Sequence, residues 1–388
     1  MKYSPLYFLS ALGSGGLAVT FFLWLLFWIP HPGQPIPVFE DWTAAFSNGS
    51  IATQGMIVLA LAGIVYFAFN HFRLLIWNFR ECGAFRKTED YANLAESDAQ
   101  VQRLAAPLAT SMSVNVALIL GAMFVPGLWT VVEYLFPLAM IAFLAVGTWA
   151  FKLYGELFVR AMSGKFNMDA NGSFAQVLPA FTFVMVGVGL AAPAAMSTTP
   201  AIVGTAIVLS SVFLAAGLFI TVIKTISGFH QMFSKGIGEA ALPTLWILVP
   251  IITIVSIALM RIDHGVAHTL HDADASSWLL FLSLMVGLQT FVLFLGYRAM
   301  ALFDYMPRMF AGEVKVPGAF SLICPGVAYS VLFQFFINKG LVAAGVITKF
   351  GLAYGILTVV PLALTAVTIV LYLRLNRTLG AGTPLATA

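Results

Sequence analysis

Hydrophobic residues in this chain come in long unbroken runs, separated by short polar stretches that hold most of the charge. Ten runs stand out, at 5–29, 52–78, 106–127, 131–162, 174–193, 199–232, 241–260, 277–306, 318–338 and 350–373. A helix needs about 20 apolar residues to cross a bilayer's hydrocarbon core. The pattern therefore predicts an all-α membrane protein, a single transmembrane domain over 1–388 with ten spans.

The runs fall into two kinds. After the first, each odd-numbered run carries proline: Pro107 and Pro126, Pro179 and Pro193, Pro243 and Pro250, Pro317 and Pro325. The first has Pro5 at its start and Gly13-Ser14-Gly15-Gly16 within it. None of the five has Lys, Arg, Asp or Glu in its apolar body. The even runs are generally longer and place charges at one end, as in FNHFRLLIWNFRE, FKLYGELFVR and LYLRLNR. Five repeats of this pair predict five helical hairpins, and repeats in transporters commonly surround a substrate path. Broken helices are costly in lipid, where freed backbone groups find no partner, and are tolerated inside protein or around a wet cavity. The expected packing puts kinked odd helices inside and even helices outside.

Composition removes most other classes. With 60% hydrophobic residues, 9% charged and a mean hydropathy of +0.95, the chain cannot stay dispersed in water. A net charge of +3 points to no nucleic-acid partner, and two cysteines rule out a disulfide framework. The N-terminal run is too long for a signal peptide and lacks a small-residue cleavage site, so it is read as the first span. Of 19 Lys and Arg, only Arg261, Lys339 and Lys349 fall on the side opposite the termini; the other 16 share the terminal side. By the positive-inside rule both termini face the cytoplasm.

The ten-helix, five-hairpin layout resembles the TehA-type family of tellurite-resistance and dicarboxylate transporters and slow anion channels. LPAFTFVMVGVGLAA (178–192), LPTLWILVPIITIVSIAL (242–259) and FSLICPGVAYS (320–330) look like its fifth, seventh and ninth helices. The stretches SALGSGGLAVTFF and FWIPHPGQPIPVFED also resemble a TsoY-type membrane (seleno)protein family. The first resemblance implies a homotrimer with one pore per protomer, closed midway by a phenylalanine on the ninth helix. Aligned by proline, the residue before Pro325 falls at or near that gate, and here it is Cys324. The pore it implies is wider at the waist, or gated by Phe320, Phe333 or Phe335.

On a helix Ser321, Cys324, Ala328 and Val331 share one face, a stripe of mostly small residues suited to a permeation path. Cys324 has three readings: a buried small hydrophobe, the waist of that path, or a thiol that does chemistry. Cys82 reads as a surface thiol, with reactivity as the alternative because Arg80, Arg86 and Lys87 favour thiolate. Uncharged inner helices would hold an anion by hydroxyls, freed amides and helix ends. The residues expected along the pore are Ser14, Ser111, Asn115, Thr182, Thr253, Phe320, Ser321, Cys324, Pro325 and Ala328, with Thr244 and Tyr329 among further polar contacts. Lys152, Glu156 and Arg160 read as a charge ladder on one helix. His71, Lys224, His230, Arg298 and Asp304 read as structural pairs or lipid anchors rather than a proton relay. His264, His268 and His271 have metal-ligand spacing beside Asp263, Asp272 and Asp274, although a hydrated loop explains them better. No nucleophile triad, phosphate loop or dinucleotide fingerprint occurs.

These features predict a channel or transporter for a small anion or related acid, such as sulfite, nitrate, a dicarboxylate or a selenium or sulfur oxyanion. The expected partners are that anion and the bilayer, with no cofactor. The competing class is a membrane-embedded thiol redox protein using Cys324, and a sensor or assembly subunit is a third.

Overall fold

The computed structural model describes residues 2–166, 173–271 and 277–383, and is helical without strands among them. Ten helices among the described residues are long and apolar enough to cross a membrane. Their cores are α1 (Phe8–Trp28), α2 (Ile51–Phe85), α3 (Ala105–Phe124), α4 (Val132–Met162), α5 (Leu178–Leu190), α6 (Pro200–Lys235), α7 (Leu248–His264), α8 (Leu279–Ala301), α9 (Ile323–Phe335) and α10 (Leu352–Leu379). Both chain ends lie on one face, where Tyr7 donates to the Leu379 carbonyl at 3.0 Å and Trp77 to that of Thr383 at 3.0 Å.

The odd helices form a closed ring, α1 against α3, α3 against α5, α5 against α7, α7 against α9, and α9 back against α1. Each even helix packs on the partner of its hairpin and on the next inner helix, so α2 sits over α1 and α3, and α10 over α9 and α1. Burial follows this arrangement. The most apolar stretch is 89% buried in the first span and 100% in the fifth, against 22–39% in the even spans. The seventh, at 39%, is the least covered of the inner five and stands beside α8, at 22%.

Proline does not break these helices midway as expected. Each inner α-helix is preceded by a tight 3₁₀ segment: Pro5–Tyr7, Asp98–Leu104, Phe174–Val177, Glu239–Trp246 and Pro317–Leu322. Pro107, Pro179, Pro250 and Pro325 then occupy the second or third position of their α-helices. The first N–H groups of a helix have no intrahelical acceptor, so losing one there costs little. The repeated unit is thus a 3₁₀ lead-in followed by an α-helix. Prolines in α-helix interiors fall on the outer ring, at Pro137 and Pro361, while Pro243 lies within the 3₁₀ lead-in of the seventh span and Pro193 lies in the first turn of the short helix Ala192–Met196 after α5.

The glycine run of α1 is likewise not a break, since α1 is continuous through it. It permits close approach on several sides. A Cβ at Gly13 would come within 2.7 Å of Ile323 on α9, one at Gly16 within 3.0 Å of Val327, and one at Gly15 against Met112 and within 2.9 Å of His71. Lipid gives apolar helices no hydrophobic reason to associate, so small residues that let backbones meet supply much of the packing. His71 itself is fully buried, not at a lipid edge. Its Nδ1 donates to the Ala11 carbonyl at 2.8 Å, which leaves Nε2 to accept from Ser113 at 2.8 Å.

A relay ties three helices on the opposite side of the ring. Gln289 on α8 donates to Thr253 Oγ1 at 2.6 Å and to the Val249 carbonyl at 2.7 Å, while Thr253 donates to the Ala328 carbonyl of α9 at 2.8 Å. Thr253→Val removes both roles of the hydroxyl. We expect a loss of about 1–3 kcal/mol, read as a lower unfolding midpoint in detergent. Added to Gln289→Leu, it should cost less than it does alone, because the two act in one chain of bonds.

Candidate functional site

The 3₁₀ lead-ins of the ring splay apart at the terminal face and leave a cavity of about 580 Å³. Every inner span contributes. The deepest lining residues are Leu9 of α1, Phe181 of α5, Ile247 and Pro250 at the start of α7, and Cys324 of α9. Nearer the mouth stand Glu96, Asp98, Gln102, Arg160, Lys165, Gln176, Thr244 and Ser321. All of the lining lies on the terminal side, so the cavity opens to one face and ends within the first turn of the inner α-helices.

The mouth carries two carboxylates and two cations. Arg160 Nε lies 3.6 Å from Asp98, and Arg160 also donates to the Lys165 carbonyl at 3.1 Å. Its neighbour Glu156 pairs with Arg103 at 2.8 Å. The predicted ladder along α4 is therefore replaced by bridges from α4 to the lead-in of α3, which fix the rim of the cavity. These lining charges balance, so the mouth has no strong preference for either sign.

Of the ten residues expected along a pore, Ser321 and Cys324 border this cavity. Ser321 lines the cavity, but its Oγ is itself buried and has no hydrogen-bond partner among the described residues. Cys324 is a free thiol, as is Cys82. The other eight are placed elsewhere. Ser14 donates to the Phe67 carbonyl at 2.8 Å and Ser111 to that of Pro107 at 3.1 Å. Asn115 donates to the Ser111 carbonyl at 3.3 Å, and Thr182 to those of Leu104 and Leu178 at 3.2 and 3.1 Å. Thr253 and the Ala328 carbonyl belong to the relay above, and Pro325 is buried behind Cys324. In an apolar interior a hydroxyl finds the nearest carbonyl, either a turn back on its own helix, as for Ser111, or on a neighbouring one, as for Ser14 and Thr253.

None of the three phenylalanines expected as a gate borders the cavity. Phe320 is fully buried with its ring 5.7 Å from Tyr7, Phe335 packs on Phe27 at 5.1 Å, and Phe333 stacks on Tyr329 at 5.6 Å. The phenylalanine at the cavity floor is Phe181, two residues after Pro179. The signal that could have found it is the repeat itself, since Phe181, Pro250 and Cys324 all lie at or within two residues of a first-turn proline.

Lys224, read as a structural pair or lipid anchor, has its ammonium 5.0 Å from the ring of Phe166. Two further expectations change. Cys82 is buried inside α2 beside Arg86, Tyr91 and Trp149, not a surface thiol. His264 and His268 have ring centres 4.3 Å apart, yet no group of three ligand-type residues converges among the described residues. Residues 265–270 form a π-helix, whose wider turn takes His271 off the α-helical face assumed for it. Asp272 and Asp274 lie outside the described residues.

No known family model matches the chain, and no curated protein matches it. The ten apolar helices in two concentric rings make this an all-α, multi-pass integral membrane protein with a chamber at one end of its inner ring.

Proposed function

We propose that the protein is a channel or transporter that passes a small anion, or the acid it derives from, along the axis of the inner ring. The observation that carries this is the position of the cavity. It is bounded by all five repeats and closes on an apolar floor of Leu9, Phe181, Pro250 and Cys324, the form expected of a path open to one side. An apolar constriction excludes a hydrated ion until neighbouring side chains move or water enters. Membership of the TehA-type family, a homotrimer with one path per protomer, and a cytoplasmic location for both termini are parts of the same proposal. The last is supported by the 16 basic residues that share the terminal side.

Reconstituted in liposomes, the protein should pass nitrate, sulfite or a dicarboxylate above the leak of empty vesicles. Vesicles that stay tight to every anion and uncharged acid supplied would defeat the proposal. A second reading is favoured by one observation, that a free thiol borders the chamber. A thiol redox protein would lose activity in Cys324→Ser, whereas a path for solutes should tolerate that nearly isosteric exchange.

A further inference from the structure

The balanced charges at the cavity mouth leave open what would favour an anion. Arg261 bears on this. The run 241–260 stops one residue short of it, but α7 continues to His264, so the guanidinium belongs to an inner helix. Arg261 lies eleven residues beyond Pro250, which puts it about 17 Å further along α7 and within about 20° of the same face. Pro250 lines the cavity, and between the two Ile254 and Ala258 are buried. Arg261 therefore stands at the far side of an apolar stretch that begins at the cavity floor.

Its surroundings are unusual for a charge within a span. Arg261 donates to the Val188 carbonyl of α5 at 2.8 Å. Among the described residues no carboxylate lies within ion-pair distance of it. A guanidinium has five N–H donors in a planar fork suited to oxyanions. A half-buried cation in a membrane span is costly unless something negative meets it, and such residues mark ion pathways. More positive charge gathers nearby. His264, one turn on, is within electrostatic reach of Lys339 and His268, with Asp263 the acidic group facing it. Lys349 adjoins Lys339 and holds its ammonium 5.2 Å from the ring of Phe350, a residue kept in the left-handed region at φ 63°. Lys339 thus lies near both His264 and Lys349, and α7 and α9 each run into a π-helical segment, 265–270 and 336–342.

We propose that Arg261, together with His264 one turn on and Lys339 near that histidine, binds a small inorganic oxyanion at the end of the inner ring opposite the cavity. Its place on a conduction path rests on the transport proposal above; the binding does not. The site would give the path a preference for anions that the cavity mouth lacks, and the opposing charge of Asp263 would keep the hold weak enough for release.

The test uses full-length protein in detergent, with nitrate or sulfate as probe and gluconate holding ionic strength constant. The melting temperature should rise with nitrate or sulfate in the wild type. Arg261→Gln should weaken that response about tenfold in anion concentration, the effect of losing a charge-assisted hydrogen bond. Arg261→Lys should keep most of it, and Lys339→Gln should lose part. An Arg261→Gln protein that is less stable yet responds to anion as before would overturn the site, leaving Arg261 a cap on the α5 carbonyls. A wild type that does not respond to either anion would overturn it equally. Liposome flux measured alongside separates the two proposals: flux without Arg261-dependent binding removes the site alone, and binding without flux removes the transport proposal alone.

Discussion

A phenylalanine in place of Cys324 is expected to stop flux through the reconstituted protein. Cys324 is the second residue of α9 and is only 8% exposed, its remaining surface facing the cavity floor. A phenyl ring there would meet Phe181, Leu9 and Pro250 across the narrow end of the chamber. The fold should survive, because the ring can extend into the cavity and not into packed backbone. The opposite change, Phe181→Ala, removes the bulk on the facing helix and should raise flux by about tenfold or more if this apolar floor is the constriction. Both variants need the same vesicles and the same protein density. Equal rates in wild type, Cys324→Phe and Phe181→Ala would mean that solutes do not pass this floor, and the axial path would have to be abandoned. A redox protein would separate from this by its response to Cys324→Ser, which leaves the space unchanged and removes the thiol.

The largest structural effect should come from Gly265→Ala. Gly265 opens the π-helical segment after α7 and is buried. A Cβ there would run into the carbonyl oxygen of Ala194 and come within 3.1 Å of Val203 on α6. The obstacle is backbone, so no rotamer change relieves it, and α7 would have to part from the short helix Ala192–Met196. We expect a cost of about 3 kcal/mol or more. Gly326→Ala provides the comparison. Its Cβ would meet the Thr368 hydroxyl on α10, the end of a side chain that can turn away. A smaller loss of melting temperature is expected there, together with loss of the Thr368 bond to the Leu364 carbonyl at 2.7 Å. If Gly265→Ala proves the milder of the two, the contact between α7 and the Ala192–Met196 helix is not as close as described.

The repeat was legible in the chain, but its structural meaning was not. Pro107, Pro179, Pro250 and Pro325 mark equivalent places in four hairpins. Reading them as mid-membrane breaks follows from proline chemistry alone, whereas their position depends on where each helix begins. Those beginnings lie in 3₁₀ segments such as Asp98–Leu104 and Glu239–Trp246, which hold charged residues that a hydropathy run excludes. The same difference between an apolar run and a helix hides Arg261, one residue past the run yet in the last turn of α7.

By itself the sequence determined the membrane class, the ten spans and the alternation of inner and outer helices. Each depends on the apolar content of about 20 neighbouring residues, and that content is local. Only the tertiary structure decided which side chains meet the cavity. Inner helices are apolar on every side, so periodicity does not mark the face turned to the axis. Ser14, Ser111 and Thr182 resemble Ser321 in sequence, but carbonyls of adjacent turns and helices take their hydroxyls, while Ser321 is the one that lines the cavity. That difference is set by the closing of five hairpins into a ring, which no single hairpin encodes.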